Sequence, residues 1–283
     1  MARGVEPTPS TPRSAVVTGA ARGIGRATAQ VLVRRGYSVV VTDLDGDQAA
    51  RTAGQIGAVL GLSQDVRDEF GHTVVARQAR ELAPLAAWFN NAGVGFEGDG
   101  ADQPADQIRT LVEVNLLGVL WGTQAAVRAM REQAHAGESR GGDIVLTSSL
   151  SGHGPVPGLS VYAATKAAVL SLASSMHTEL RKDGIRMHAI CPDGVDTDLV
   201  ARLRPGSQAS ALIHSGGRLL GVDEVAEAMV AMIGSRRVYR TLPGWRGTML
   251  QLSQMAPGPA MRLEPLMRRQ GNHVAATTAH RPR

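Results

Sequence analysis

Lysine is nearly missing from this chain: among 283 residues only Lys166 and Lys182 occur, and arginine supplies almost all of the positive charge. Cysteine is rarer still. The single Cys191 excludes an intramolecular disulfide and suits a reducing cytoplasm, where this sequence is expected to reside. Aromatics are only 3% of the residues, so packing falls to Ala, Val and Leu, and the 43% hydrophobic content suffices for one core. No uninterrupted apolar run of about 18 residues occurs, so no membrane span is predicted. Residues 1–13, rich in Pro, Thr and Arg, lack the apolar stretch of a signal peptide and read as a flexible arm. The histidines are scattered and no His/Cys/Asp cluster has metal-ligand spacing, so no metal is expected.

The net charge of +5 and a pI near 10.1 would suit a nucleic-acid binder, but the distribution does not. Residues 236–283 hold nine arginines against one acid, Glu264, for a net +8, which leaves residues 1–235 at −3. No nucleic-acid partner is therefore expected. The basic C-terminal extension, 243–283, is either solvated arginine or a segment that lies on an acidic partner or an anionic membrane surface. Its Met249, Leu250, Leu252, Met255, Met261 and Leu266 read as packing, or as an apolar rim beside a pocket.

From Ser14 onward, short apolar runs alternate with stretches of helical periodicity. Strands are predicted at 14–18, 37–42, 58–62, 85–89, 143–147 and 185–190, and helices at 24–35, 67–82, 107–133 and 161–181. Strict alternation implies an α/β fold: one Rossmann-like, doubly wound parallel sheet with helices on both faces. A further run, 237–242, is the candidate last strand, which sets the main domain at 14–242.

The first strand runs into Thr18-Gly19-Ala-Ala-Arg22-Gly23-Ile24-Gly25. Glycines there allow a tight turn and close approach of a ligand, and the helix that follows points N–H groups at a phosphate. Asp43 ends the second strand, placed to accept from ribose hydroxyls and to repel a 2′-phosphate, so NAD is favoured over NADP. Arg22 opposes that preference if it meets the phosphate, and is otherwise an exposed arginine. Asp65 either bonds an adenine amino group or caps the helix near Val66.

Tyr162 and Lys166 stand one helical turn apart on one face, in a chain that otherwise writes arginine. A nearby ammonium favours the phenolate; bringing the phenol from about 10 to about 7 takes roughly 4 kcal/mol, at about 1.36 kcal/mol per unit. Such a tyrosine exchanges protons near neutral pH.

In this order, Thr18-Gly19-x3-Gly23-x-Gly25, Asn90-Asn91-Ala92-Gly93, Asn115, Ser149 and Tyr162-x3-Lys166 resemble the short-chain dehydrogenase/reductase superfamily, over roughly residues 14–234. The resemblance implies that Tyr162 is the catalytic acid/base and that Lys166 lowers its pKa and bonds the nicotinamide ribose. It further implies that Ser149 holds the substrate oxygen and that Asn115 holds a water linked to Lys166. The cofactor crevice would be lined by Gly19, Arg22, Gly23, Ile24, Gly25, Asp43, Asp65, Val66, Asn91, Ala92, Gly93, Val195 and Thr197, with Tyr162 and Lys166. Ser148 should face away from the site, while Ser151, His153 and Leu203 are substrate-pocket candidates. The implied activity is hydride transfer between NAD and a secondary alcohol or ketone, by a homodimer or homotetramer; the mainly aliphatic, arginine-bearing stretch 199–221, including Leu203, Leu212 and Ile213, is expected to cap the pocket and favours a mostly apolar substrate. A non-catalytic dinucleotide-binding sensor or scaffold is the alternative.

Two features depart from the resemblance. Cys191-Pro192-Asp193-Gly194 has aspartate where the superfamily usually has glycine, although the spacing from Pro192 to Thr197 is kept. The chain end, 245–269, also lacks the glycine-rich turn with which many members join subunits.

Overall fold

The computed structural model describes residues 11–255, 258, 262 and 264–278. Most of the predicted arm, Met261 and the side chain of Met255 lie outside the described residues. One sheet of seven parallel strands has the order β3-β2-β1-β4-β5-β6-β7. The strands are β1 (Ser14–Thr18), β2 (Ser38–Asp43), β3 (Leu60–Ser63), β4 (Leu85–Asn90), β5 (Gly142–Thr147), β6 (Ile185–Pro192) and β7 (Tyr239–Leu242).

The apolar runs are continuous because the sheet is covered on both faces. Val17, Val41, Phe89 and Ile190 pack with α1 (Gly23–Arg34) and α9 (Val222–Val230). Val16, Val40, Trp88 and Ile144 point the other way, against α3 (Glu69–Leu82), α5 (Gly118–His135) and α6 (Ser160–Glu179). The strand order reverses between β1 and β4, and a crevice opens at that switch point, outside the strands' C-terminal ends.

Several element boundaries differ from the sequence reading. A helix unassigned in the sequence, α2 (Gly46–Ile56), is capped by Asp45, which accepts from the Gln48 N–H at 2.9 Å, and ends at Gly57 with φ 78°. Asp68 rather than Asp65 caps α3, which begins two residues later than predicted. The expected single helix 107–133 is α4 (Ala105–Val112), a π-helical turn (Glu113–Leu117) and α5. By length and composition this run could cross a membrane, but half of its most apolar stretch is buried inside the domain. Its π turn also holds the fully buried Asn115, so it serves as a core helix.

Beyond β7, the basic extension folds. Helix α10 (Gly244–Met255) packs on β7 and on a 3-10 turn, Leu150–His153; α11 (Glu264–Thr278) packs on α8 (Gln208–His214). The contact of α11 with α8 is so close that a Cβ on Gly271 would overlap the Ala211 carbonyl.

Candidate active site

The glycine turn between β1 and α1 is forced by crowding. Gly19 has φ 61°, and a Cβ there would stand 2.6 Å from the Ala92 Cα. Asn91 fixes the turn to the end of β4: its Nδ2 donates to the carbonyls of Thr18 and Gly19, both at 3.0 Å. Thr18 Oγ1 accepts from the N–H groups of Asn91 and Ala92, both at 3.1 Å. Helix α1 carries no side-chain cap and no acid in its first turn, so its opening N–H groups, at Gly23, Ile24 and Gly25, face the crevice as a phosphate would need. At the tip of β2, Asp43 accepts from the Ala21 N–H at 3.1 Å, which sets its carboxylate beside this turn. These residues fit a dinucleotide, with an acidic group at the ribose end.

The second half of the crevice is built from β5, α6 and the π turn. Ser149 ends β5's extension and accepts from the Ser151 N–H at 3.1 Å, while its side chain also bonds the Tyr162 hydroxyl. Ser148 points away and donates to the Lys166 carbonyl at 2.8 Å, as its alternation predicts. The Lys166 ammonium donates to the Thr147 carbonyl at 2.9 Å and lies 5.6 Å from the centre of the Tyr162 ring. Asn115 pairs with both backbone groups of Val94 at 2.9 Å and reaches Thr165 Oγ1 at 3.3 Å. Gly93 is where these elements meet: a Cβ there would come within 3.3 Å of Asn115 Oδ1 and 3.4 Å of Lys166 Nζ.

The expected acidic phenol is not found in this arrangement. Burial pushes Tyr162 up to about 12, against a smaller lowering by the Ser149 hydrogen bond. Burial also pushes Lys166 down to about 8. Desolvation disfavours the charged form of each. With the protein's own groups alone, Tyr162 is a proton donor.

The family model for short chain dehydrogenase matches residues 13–208. The chain belongs to this family. It is 31% identical over 230 residues to the 3-oxoacyl-[acyl-carrier-protein] reductase FabG of Salmonella typhimurium, covering 80% of this chain and 92% of that protein. Over 257 residues it is 31% identical to the probable oxidoreductase EphD of Mycobacterium tuberculosis, covering 85% of this chain but 43% of that longer protein. The chain thus spans less than half of that relative's length. Two crystal structures share the fold. A short chain dehydrogenase/reductase from Burkholderia phymatum in complex with NAD has a TM-score of 0.76 at 27% identity, covering 87% of this chain and 94% of that one. A 3-ketoacyl-(acyl-carrier-protein) reductase from Brucella melitensis complexed with NADH has a TM-score of 0.72 at 26% identity, covering 81% and 96%.

Other members of the family-derived residue set are placed less uniformly. Arg22 is exposed and pairs with Asp198 at 3.2 Å. Asp65 is held by a fork from Arg67, with its Nη2 at 2.6 Å; that hydrogen bond, against a smaller effect of burial, keeps its carboxyl below the usual range. The Val66 carbonyl faces His72 Nε2 at 2.9 Å. Val195 is bridged to Leu220, and the Thr197 hydroxyl turns back to the Val195 carbonyl at 3.2 Å, with its methyl over Gly23. Ser151 keeps a buried hydroxyl with no hydrogen-bond partner among the described residues. His153 is buried against β7, 3.5 Å from Thr241 Oγ1 and edge-on to the Tyr239 ring. Leu203 is half-buried just after α7 (Asp198–Ala201). Leu199 covers Gly95 at the crevice mouth.

Next to that mouth, a cavity of about 560 Å³ lies between the loops at 97–100, 157–160 and 204–208. Its lining includes neither Ser149 nor Tyr162, so it is not the reacting centre. Glu97 ties its walls together, accepting from the Arg204 N–H at 2.8 Å. Cys191 is fully buried, and its thiol is pushed up to about 12 by that burial, which leaves it a core residue and not a nucleophile.

Proposed function

We propose that the chain is an NAD(H)-dependent oxidoreductase that moves a hydride between the dinucleotide and a secondary alcohol or ketone, with Tyr162 as general acid/base. The observation that carries this reading is the convergence of Ser149, Tyr162 and Lys166 beside an uncapped α1 N-terminus. The NAD and NADH bound to the two structural neighbours support the choice of cofactor, and Asp43 supports NAD over NADP.

When bound, a nicotinamide supplies the hydride chemistry. The protein does the rest. In reduction, Tyr162 gives its phenolic proton to the oxygen of the carbonyl, and Ser149 donates a hydrogen bond to the same oxygen as negative charge develops there. In oxidation, Tyr162 takes that proton back, which needs positive charge near the phenol to offset its burial. Lys166 contributes such charge and is held by Thr147 where it also meets the wall at Gly93. Leu199, with the arms of its loop, excludes water from the crevice mouth. Leu199 and Leu203, aliphatic residues of that loop, support a mostly apolar substrate, and the Ser151 hydroxyl, without a partner among the described residues, supports one polar contact beyond the reacting oxygen.

The test is absorbance at 340 nm with NADH and a panel of apolar ketones, and with NAD and the matching alcohols. Turnover in either direction is expected. Saturable NADH binding with no turnover across the panel would favour the sensor reading instead.

A further inference from the structure

The aspartate at 193 and the folded C-terminal extension are the two departures from the family, and the structure joins them. Arg246, in the first turn of α10, places Nε 3.1 Å from Asp193 Oδ2, with both side chains less than a tenth exposed. Its Nη2 donates to Ser215 Oγ at 3.0 Å.

Asp193 and Ser215 stand at the two feet of one loop. The chain leaves β6 through Asp193 and Gly194, passes through α7 and α8, and returns through Ser215 and Gly216 to Leu220. The feet are also linked by backbone: Leu220 N–H donates to the Gly194 carbonyl at 2.8 Å, and Asp196 N–H to the Leu220 carbonyl at 2.9 Å. Between the feet, the loop overhangs the crevice: Thr197 lies over Gly23, Leu199 over Gly95, and Asp198 pairs with Arg22 of the glycine turn. The far end of the same loop, α8, is backed by α11.

We propose that Arg246 and Asp193 are positioning residues: Arg246 clasps both feet of the 195–220 loop and so sets how that loop closes over cofactor and substrate. The role as a lid over a cofactor rests on the oxidoreductase reading above; the clasp itself does not. A glycine at 193, as in most of the family, offers no anchor for the guanidinium. An arginine at 246 without Asp193 would be buried and unpaired, which makes the two residues interdependent. One planar guanidinium spans both contacts, an ion pair to Asp193 and a hydrogen bond to Ser215, which a lysine ammonium on a flexible stem cannot reproduce.

Hydrogen exchange on the full chain, read by mass spectrometry with and without NADH, tests this. In the unliganded protein, Arg246→Met should speed exchange at the Asp196 and Leu220 amides by about tenfold, while the 18–26 turn is unchanged. Arg246→Lys should fall between Met and the wild type. Ser215→Ala, which removes one contact with little change in volume, should speed the Leu220 amide while the 18–26 turn again reports an intact fold. With NADH, the wild type should gain protection in both 18–26 and 195–220, and Arg246→Met only in 18–26. Equal exchange of the loop in wild type, Arg246→Met and Ser215→Ala overturns the clasp. Absence of NADH protection anywhere in the wild type, with the unliganded differences intact, overturns the oxidoreductase reading and leaves the clasp standing.

Discussion

Lys166 spends folding stability on its position. Burial lowers its pKa from 10.5 to about 8, which at about 1.36 kcal/mol per unit amounts to roughly 3 kcal/mol of cost while it is charged. The sign follows from proton binding: between about 8 and 10.5 the unfolded chain holds the proton and the folded chain releases it, so this group's contribution to stability rises with pH across that window. Lys166→Met is therefore expected to melt several degrees higher than the wild type at pH 7, with the gain shrinking above pH 8, while losing turnover. Scanning calorimetry at pH 7 and 9 checks it; a lower melting temperature at pH 7 would contradict the assigned cost. The sequence placed Tyr162 and Lys166 together correctly but misjudged their electrostatics. Spacing along a helix fixes which side chains share a face, whereas desolvation depends on what the rest of the fold packs over them, here the Gly93 wall and Thr147.

At the scale of elements, the β–α alternation and the glycine turn were legible because buried parallel strands leave continuous apolar runs and because few sequences can make the Gly19 turn. The α2 helix was not, since its buried face is only Ala49, Thr52, Ala53 and Ile56 and its eleven residues include two glycines, Gly46 and Gly54. The π turn was equally invisible: Glu113–Leu117 keeps helical composition, and the pairing of its Asn115 with Val94 is a tertiary contact that the sequence does not record. At the opposite end of the sheet, Asp143 joins β5, β6 and the end of the α9 layer: it receives the Arg186 fork at 2.7 and 2.8 Å, meets His188 Nε2 at 2.9 Å and accepts from Gly234 N–H at 3.0 Å. Burial raises its pKa, but these partners overcome that and hold it below 3.8. Its contribution is thus full above pH 3.8 and lost as the pH falls through the lower folded value. Asp143→Asn should cost about 2–4 kcal/mol near neutrality, discounted for the partly exposed Arg186, with the difference from wild type narrowing below pH 3.8. Urea melts at pH 7 and pH 3 measure this; a difference that does not narrow would contradict it.

For the whole molecule, the arginine-rich C-terminal stretch shows the limit of a linear reading. Its charge suggested a solvated tail or a membrane contact, yet Arg246 is buried at the feet of the crevice loop, and α11 backs α8. Asp193 was noticed as an oddity, but its partner lies 53 residues away and across β7, a distance that no local pattern records. Trp245, Met249 and Leu252 remain exposed on α10, so the apolar residues of the extension are divided between packing and surface. The proposed reading assigns binding and chemistry to separable parts of this molecule: the glycine turn and Asp43 would hold the dinucleotide, and Tyr162 would move the proton. The most direct measurement compares wild type and Tyr162→Phe in one cuvette series, titrating NADH fluorescence and then following its consumption with a ketone that the wild type reduces. The account predicts equal NADH affinity and a loss of about 10²- to 10⁴-fold in kcat for the variant; turnover at the wild-type rate without the hydroxyl would contradict it.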